Sequence, residues 1–236
     1  MQKKTRRRKK DKVLDVLGQI SSAITGDFYL DDILKLIVSA VAGVLSSPIS
    51  SLMLLDKDGN LKIKSTQSVS RLYNEKPPLK IGEGIAGKVV KNNKPLVVYD
   101  ISREEEYKYK DIARKEGLAS LICVPLSVKG KAIGVLNCYT SSPHKFTRKE
   151  IVFITTIANQ AALVIQNTQL LVESKIIQEE LETRKRIERA KGILMKEKNI
   201  SEEEAYRLIQ RYSMDKRKSM KEVSEAIITA YQIENL

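Results

Sequence analysis

Hydrophobic residues follow a helical spacing near both ends of the chain and a strand spacing in the middle. From Val13 to Leu45 the spacing predicts helix, with a break at Gly26. The apolar residues on one face of the second part are Ile33, Leu34, Ile37, Val41, Val44 and Leu45. Two apolar runs, 49–55 and 61–66, then flank a turn-rich segment, which predicts a β-hairpin.

A second hairpin is the clearest local signal in the sequence. Its strands are predicted over 119–128 and 131–140, with the turn at Lys129-Gly130. A short helix over 84–91 and a strand over 95–99 are predicted between the two hairpins. Two hairpins with helices around them indicate an antiparallel sheet flanked by helices.

The last third of the chain is predicted to be helical throughout. Thr147 and Glu150 form a capping box, and the helical spacing that follows meets no Gly or Pro until Gly192. Further capping boxes begin at Ser201 and Ser219, each before an apolar helical pattern. Three helices in so short a segment indicate a small all-helical domain.

These elements predict an α+β protein in two parts. An antiparallel sheet flanked by helices is joined by a long, coiled-coil-like helix to a small three-helix all-α domain. The predicted boundaries are a basic disordered leader over 1–12, an α+β domain over 13–168 and a helical domain over 169–236, with a shared linker helix over about 148–197.

A seven-residue repeat in the long helix suggests pairing with a second helix. Leu163, Leu170 and Ile177 recur every seven residues, and Leu181 follows four residues later. Polar residues interrupt this line at Asn167, Ser174 and Arg184. The pattern favours a homodimer through the long helix, and a linker helix that pairs with nothing is the alternative.

Charge is concentrated at the two ends. The chain has a formal net charge of +13, from 42 Lys and Arg against 29 Asp and Glu. Residues 1–12 carry +7, residues 13–183 carry +2 and residues 184–236 carry +4. Basic ends on a nearly neutral centre point to a polyanion partner. For residues 1–12 alone, a solvated disordered tail is an equal alternative.

Other features limit the class of protein. No apolar run approaches the about 20 residues that a membrane span needs, and no secretory signal follows the basic start. Two cysteines do not form a disulfide framework and fit a reducing compartment. We therefore expect a cytoplasmic protein with no membrane partner.

The segment Gly82-Glu83-Gly84-Ile85-Ala86-Gly87 matches the G-x-G-x-x-G pattern of dinucleotide sites. Such a site needs a parallel βαβ unit and an acidic residue about 20 positions on. Here both clear strand pairs are hairpins, and the next candidate, Asp100, comes 13 residues after Gly87. A tight turn with close packing at a helix start is the preferred interpretation.

The residues that carry enzyme chemistry are sparse. With a two-residue turn at Lys129-Gly130, Cys123 and Cys138 would share one sheet face diagonally, roughly 7–8 Å apart and too far for an unstrained disulfide. We expect two small buried thiols. His144 has no Ser or Cys beside it, and no spacing indicates a metal site. The chain is therefore predicted not to be an enzyme.

The segment 184–195 departs from a simple amphipathic helix. Lys191 falls within the apolar stripe formed by Ile187, Ala190 and Leu194, where a cation is costly unless its stem reaches out or a partner pairs with it. Gly192 costs about 1 kcal/mol relative to Ala in a helix interior. A glycine at this position is better explained by another backbone, or a ligand, that approaches the helix closely.

The C-terminal residues resemble the ANTAR domain over about 170–236. The resemblance rests on Ala190-Lys191-Gly192, Leu194-Met195, Ala205-Tyr206, Ser213-Met214, Arg217 and Val223, in that order. ANTAR domains are three-helix RNA-binding modules of bacterial transcription antiterminators. They act as dimers on paired RNA hairpins and prevent an overlapping terminator from forming.

The resemblance implies a set of RNA-binding residues. Lys191 and Gly192 are expected at the closest approach to RNA, and Tyr206 would stack on an unpaired loop base, although an aromatic at helix spacing can also be partial core. Cations expected on phosphates or base edges are Arg186, Arg211, Arg217 and Lys218. Leu194, Met195 and Val223 are expected to pack.

Residues 14–170 resemble a GAF domain. The resemblance rests on IGEGIAGKV at 81–89, LICVPL at 121–126, KAIGVLNCYT at 131–140 and QAALVIQNTQLL at 160–171. GAF domains that bind cyclic nucleotides often carry an N-K-F-D-E signature, which is missing, and no tetrapyrrole-attaching Cys context is evident. No cofactor is predicted, and a small-molecule effector would be of unknown identity.

Together these resemblances imply a ligand- or signal-regulated transcription antiterminator that binds tandem hairpins in leader transcripts. Two other functions are weighed against it. A three-helix unit can also be a DNA-binding module, which competition between duplex DNA and hairpin RNA would test. Methionine-sulfoxide reductases are built on the GAF fold, and such an enzyme would require Cys123 and Cys138.

Overall fold

The computed structural model describes residues 30–45 and 47–235, so the predicted leader over 1–12 and the helical pattern predicted over 13–29 lie outside the described residues. The chain divides into two compact units, residues 1–168 and 169–236. The elements are α1 Leu30–Leu45, β1 Ser50–Leu55, β2 Asn60–Thr66, α2 Arg71–Asn74, β3 Leu79–Lys80, α3 Gly84–Asn92, β4 Leu96–Val98, α4 Lys110–Lys115, β5 Ser120–Val128, β6 Lys131–Thr140, α5 Arg148–Lys198, α6 Glu202–Lys216 and α7 Met220–Glu234.

The first unit is built on one six-stranded sheet with the order β3-β2-β1-β6-β5-β4, in which every pairing is antiparallel. One face packs against α1 and the first part of α5 through residues such as Ile37 and Ile157. The other face packs against α3 and the shorter helices through residues such as Val89 and Tyr73. The predicted α+β fold class is confirmed.

The register of the second hairpin differs from the prediction. Lys129 and Gly130 form the expected two-residue turn, both with positive φ, but a bulge follows between Leu126 and Ser127. One extra residue on β6 shifts all later pairs by one position. Because side chains alternate between the faces of a sheet, this shift changes which residues of the two strands share a face. Gly134 lies at the bulge, where a Cβ would collide with the carbonyl oxygen of Met53.

The bulge places the two cysteines on opposite faces, so the prediction of a shared face is wrong. Cys123 lies opposite Asn137 and packs with the α3 side of the sheet. Cys138 lies opposite Ile122 and packs with the α1 and α5 side. Both are buried free thiols, and burial raises the pKa of Cys138 to about 12. Neither is placed for thiol chemistry.

The glycine-rich segment before α3 forms a tight turn with close packing. Gly82 and Gly84 have φ of 86° and 60°, where other residues are strained. A Cβ on Gly87 would collide with the carbonyl oxygen of Lys80, and the Gly82 N–H donates to the Gly87 carbonyl at 2.9 Å. These contacts account for all three glycines without a nucleotide.

Helix α5 spans 51 residues. Its first part contributes Ile154, Ile157, Ala158, Ala161 and Ile165 to the core of the first unit. The helix also contains an 18-residue window with a mean hydropathy of 1.2, so by length and composition it could cross a membrane. That indication is weak, because a core helix of a soluble domain meets the same criterion and part of the window is buried.

Candidate nucleic-acid interface

The second unit consists of the C-terminal part of α5 with α6 and α7. Ala190, Ile209 and Val223 form its small buried core, with Leu194, Met220, Ile227 and Ile228 packed around it. Both capping boxes form as the sequence predicts: Ser201 with Glu204 opens α6, and Ser219 with Glu222 opens α7. Leu194 and Val223 pack as expected, whereas Met195 is exposed.

Lys191 is buried in this unit, with 6% of its surface exposed. Its Nζ lies 2.7 Å from Oε1 of Glu202 and 2.9 Å from Oε1 of Glu188. These two carboxylates raise the pKa of Lys191, Glu202 first. Lys191 is therefore held by two ion pairs, and the pair with Glu202 joins α5 to the start of α6.

Gly192 is exposed, six residues before the C-terminal end of α5. Among the described residues, no atom outside its chain neighbours and the local helix backbone lies within 4 Å of the place where its Cβ would stand. The close approach that the sequence suggested for this glycine is therefore not made by residues 30–45 or 47–235.

Tyr206 lies on the first turns of α6, near the Lys191 pair. It is four residues after Glu202, so the two side chains are neighbours on one helix face. The side chain is partly covered, with 42% of the residue surface exposed. Tyr206 is therefore accessible to a ligand.

Arg217 and Lys218 form the turn between α6 and α7. Arg217 is the C-cap of α6, with φ of 53° in the left-handed region. The Lys218 N–H donates to the Ser213 carbonyl at 3.0 Å, and the Ser213 hydroxyl donates to the Lys218 carbonyl at 2.5 Å. Both cationic side chains are exposed on this fixed turn, as is Arg211 on α6.

Arg186 lies in a cleft of about 660 Å³ between α5 and α7. Its guanidinium pairs with Glu225 of α7. Lys185 and Arg189 line the same cleft, and sequence reasoning did not single them out. Arg189 follows Arg186 by three residues and Lys185 by four, which places all three cations on one side of α5, and this spacing was visible in the sequence.

A second candidate site lies in the first unit, in a narrow cleft between the sheet and α3. It opens to solvent and encloses about 20 Å³, which is room for about one water molecule. Residues from three parts of the chain line it, among them Lys76, Ile85, Tyr107, Asn137 and Tyr139. Across residues 30–45 and 47–235, no group of three or more His, Cys, Asp or Glu side chains is placed to hold a metal ion.

Comparison with known families assigns both units. The family model of the GAF domain matches residues 30–166, and that of the ANTAR domain matches residues 176–228. Both resemblances seen in the sequence are confirmed. The two matches lie on the two structural units described above.

Curated relatives match different parts of the chain. The Nif-specific regulatory protein of Herbaspirillum seropedicae is 22% identical over 193 residues, which cover 76% of this chain and 36% of that protein. The transcriptional regulatory protein PdtaR of Mycobacterium tuberculosis is 44% identical over 61 residues, which cover 26% of this chain and 30% of that protein. The chain thus spans about a third of the length of these relatives.

Solved structures resemble the first unit. The GAF domain of a phosphoenolpyruvate-protein phosphotransferase (ptsP) from Coxiella burnetii has a TM-score of 0.61 and 25% identity, covering 69% of this chain and 97% of that chain. The free methionine-R-sulfoxide reductase of Neisseria meningitidis has a TM-score of 0.58 and 18% identity, covering 67% and 91%. At that identity the second likeness concerns the fold alone. The chain belongs to the GAF domain family, and its C-terminal unit is an ANTAR domain.

Proposed function

We propose that the protein is a signal-regulated, RNA-binding transcription antiterminator. The ANTAR unit would bind and stabilise tandem hairpins in nascent leader RNA, so that an overlapping terminator hairpin does not form. The GAF unit would sense a small-molecule effector that controls this binding. The protein would act in the cytoplasm, as a homodimer paired through α5, and without catalysis of its own.

Gly192 is the observation that carries the RNA-binding proposal. Glycine in a helix interior is destabilising, and among the described residues no neighbour explains this one. It lies within the ANTAR match, next to Lys191 and close to exposed cations. A smooth helix surface at this point lets the backbone of an RNA approach more closely than any side chain would allow.

In this proposal Lys191 is a positioning residue and does not contact the phosphates itself. Its ammonium is paired with Glu188 on α5 and with Glu202 on α6, and the second pair would fix the start of α6 and hence Tyr206. Tyr206 would stack on a loop base. Arg186, Arg211, Arg217 and Lys218 would supply cations for the phosphates, with Lys185 and Arg189 added from the cleft beside Arg186.

The experiment compares two exposed helix glycines, of which only Gly192 is proposed to contact RNA. Gly43 in α1 and Gly192 in α5 are both exposed, and a Cβ at either would meet open space. Gly43→Gln and Gly192→Gln should each stabilise their helix by up to about 1 kcal/mol. Only Gly192→Gln should weaken binding to two-hairpin RNAs with randomised loops, by roughly tenfold or more.

RNA affinity is measured by filter binding on the full chain, and stability by thermal unfolding. Equal RNA affinity in both glutamine variants would refute the assignment of this surface. Duplex DNA that outcompetes the hairpin RNAs at matched salt would instead indicate a DNA-binding regulator. A redox enzyme is not supported, because the two buried thiols face opposite sides of the sheet.

A further inference from the structure

Lys76 is a mostly buried cation among aromatic rings in the GAF unit. Its Nζ lies 3.5 Å from the ring centroid of Tyr73, 5.5 Å from that of Tyr109 and 5.9 Å from that of Tyr139. Tyr73 and Tyr139 are buried and pack edge to face, with centroids 5.9 Å apart. The ring faces attract the ammonium through their negative potential.

The tyrosines are held rigidly, so the position of this cation is well defined. The hydroxyl groups of Tyr73 and Ser51 are 2.8 Å apart, and the Tyr109 hydroxyl donates to the Pro77 carbonyl at 2.7 Å. The Tyr107 hydroxyl donates to that of Tyr139 at 3.3 Å. Three rings from different parts of the sequence, those of Tyr73, Tyr109 and Tyr139, therefore lie around the ammonium before any ligand binds.

Lys76 lacks a counter-ion. None of residues 30–45 and 47–235 forms an ion pair or a side-chain hydrogen bond with its ammonium; Glu116 acts on it only at a distance. Lys108, the other lysine that lines the cleft, is paired with Glu83. Desolvation lowers the pKa of Lys76 to about 7. A desolvated ammonium is costly unless an anion pairs with it.

The surroundings of Lys76 restrict the chemistry of such an anion. A cationic ligand would be repelled by Lys76, and a doubly charged phosphate would carry more charge than the one unpaired ammonium that the described residues place in the cleft. Met53, Ile85 and Leu121 supply an apolar wall, and Asn137 supplies an amide beside it. The cleft encloses room for about one water molecule, so it must widen to admit a ligand, and the carbon skeleton must be small.

We propose that this cleft binds a small organic monocarboxylate, whose carboxylate pairs with Lys76 and whose carbon skeleton packs against Met53, Ile85 and Leu121. The inference rests on the proposed sensor role of the GAF unit and names the class of its effector. The carboxylate would supply the one negative charge that the Lys76 ammonium lacks among the described residues. The tyrosine rings exclude water from that pair and so strengthen it.

The test uses acetate, propionate and butyrate, each beside its primary amide, with inorganic phosphate as a further anion. Binding to the full chain is followed by thermal unfolding and calorimetry. At least one carboxylate should raise the melting temperature saturably, while its amide and phosphate should not. Lys76→Met should weaken that binding by roughly tenfold or more, and Lys64→Met, on the exposed part of β2, should leave it unchanged.

Proton uptake gives a second measurement that needs no variant. At pH 8 Lys76 is largely neutral, so pairing with a carboxylate should take up close to one proton; at pH 6 the uptake should be near zero. Burial raises the pKa of Tyr73, Tyr107, Tyr109 and Tyr139, so these phenols stay protonated at both values. Calorimetry in buffers of different ionisation enthalpy measures the uptake.

Three results would overturn the proposal: no carboxylate binds, an amide or phosphate binds as well as the carboxylate, or binding at pH 8 takes up no proton. Unchanged affinity in Lys76→Met would overturn it too. Because these assays contain no RNA, their failure leaves the proposed RNA binding intact. Loss of RNA binding in its own assay would likewise leave the carboxylate result standing.

Discussion

Lys191 is a buried cation whose two ion-pair partners lie on two different helices. Helix periodicity put this lysine on an apolar stripe, and the structure pairs it with Glu188 and Glu202. Glu188 is three residues away on the same helix, but Glu202 follows 11 residues later on the next helix. Local spacing could not identify that second partner.

A substitution of Glu202 separates a positioning role from direct contact. If Lys191 fixes α6, Glu202→Gln should lower RNA affinity and melting temperature in the same direction as Lys191→Met, because both break the ion pair between Lys191 and Glu202. If Lys191 instead bound phosphate, Glu202→Gln would free it and raise the affinity. Glu203→Gln, which removes a neighbouring exposed charge without touching Lys191, is the control in the same filter-binding and unfolding assays.

Arg217 combines a charge with a backbone conformation that favours glycine. Its φ of 53° is in the left-handed region, which costs a non-glycine residue about 1 kcal/mol. Arg217→Gly should therefore leave stability unchanged or slightly higher. The same change should weaken RNA binding and lower the slope of log affinity against log salt by about one.

Asn199→Gly is the matched control for Arg217→Gly. Asn199 has φ of 50° at the end of α5, so the variant makes the same backbone change in the same unit without removing a charge. Its salt dependence should equal that of the wild type in titrations from low to moderate salt. A full-affinity Arg217→Gly protein would remove Arg217 from the proposed interface.

Elements with a strong local signal were predicted well from the sequence. The three capping boxes, the hairpin turn at Lys129-Gly130 and the start of α5 depend on residues a few positions apart. The bulge beside Gly134 depends on a contact with Met53, some eighty residues earlier, so the face of Cys123 could not be predicted. The Lys76 cluster was missed for the same reason, because its rings come from separate segments.

The apolar stripe of α5 that would pair with a second helix, here called the seam, is exposed among the described residues. Leu163, Leu170, Ile177 and Leu181 repeat along one side of the helix, and each is about half exposed. Such a stripe is costly in water unless a second helix covers it. The homodimer stays a prediction, and the helix offers a well-matched test of it.

Leu170 and Val172 are both 54% exposed but point about 160° apart around α5. Leu170→Glu places a charge in the seam and should shift the protein from dimer to monomer, with weaker binding to two-hairpin RNA. Val172→Glu places the same charge outside the seam and should leave the dimer unchanged. Sedimentation equilibrium at several concentrations measures both, and equal behaviour of the two variants would exclude pairing through this face.

On the scale of the whole molecule, the distribution of charge says more than the net +13. The ANTAR unit has a modest excess of cations, and the arrangement around Gly192 and Arg217 is what would select a ligand. Residues 1–12 hold eight Lys or Arg and a single acidic residue. Their proposed contribution is attraction to any RNA.

A variant that lacks residues 1–12 should bind RNA more weakly and with a smaller salt dependence, because fewer counter-ions are released on binding. Its preference among hairpin loops should match that of the full chain, since phosphate contacts do not read sequence. Selection from the randomised-loop library with both proteins compares the preferences directly. A changed loop preference would show that this segment takes part in recognition.

Cys123 and Cys138 lie on opposite faces of the sheet, so each thiol can report on the layer that covers its own face. Cys138 is sealed by α1 and α5, and Cys123 by the layer that contains α3. Alkylation of either thiol in the native protein requires its own layer to open, since both side chains are buried. The rate of alkylation at each cysteine therefore measures how readily the layer that covers it opens. An effector that enters beside α3 should slow the reaction at Cys123 more than the reaction at Cys138.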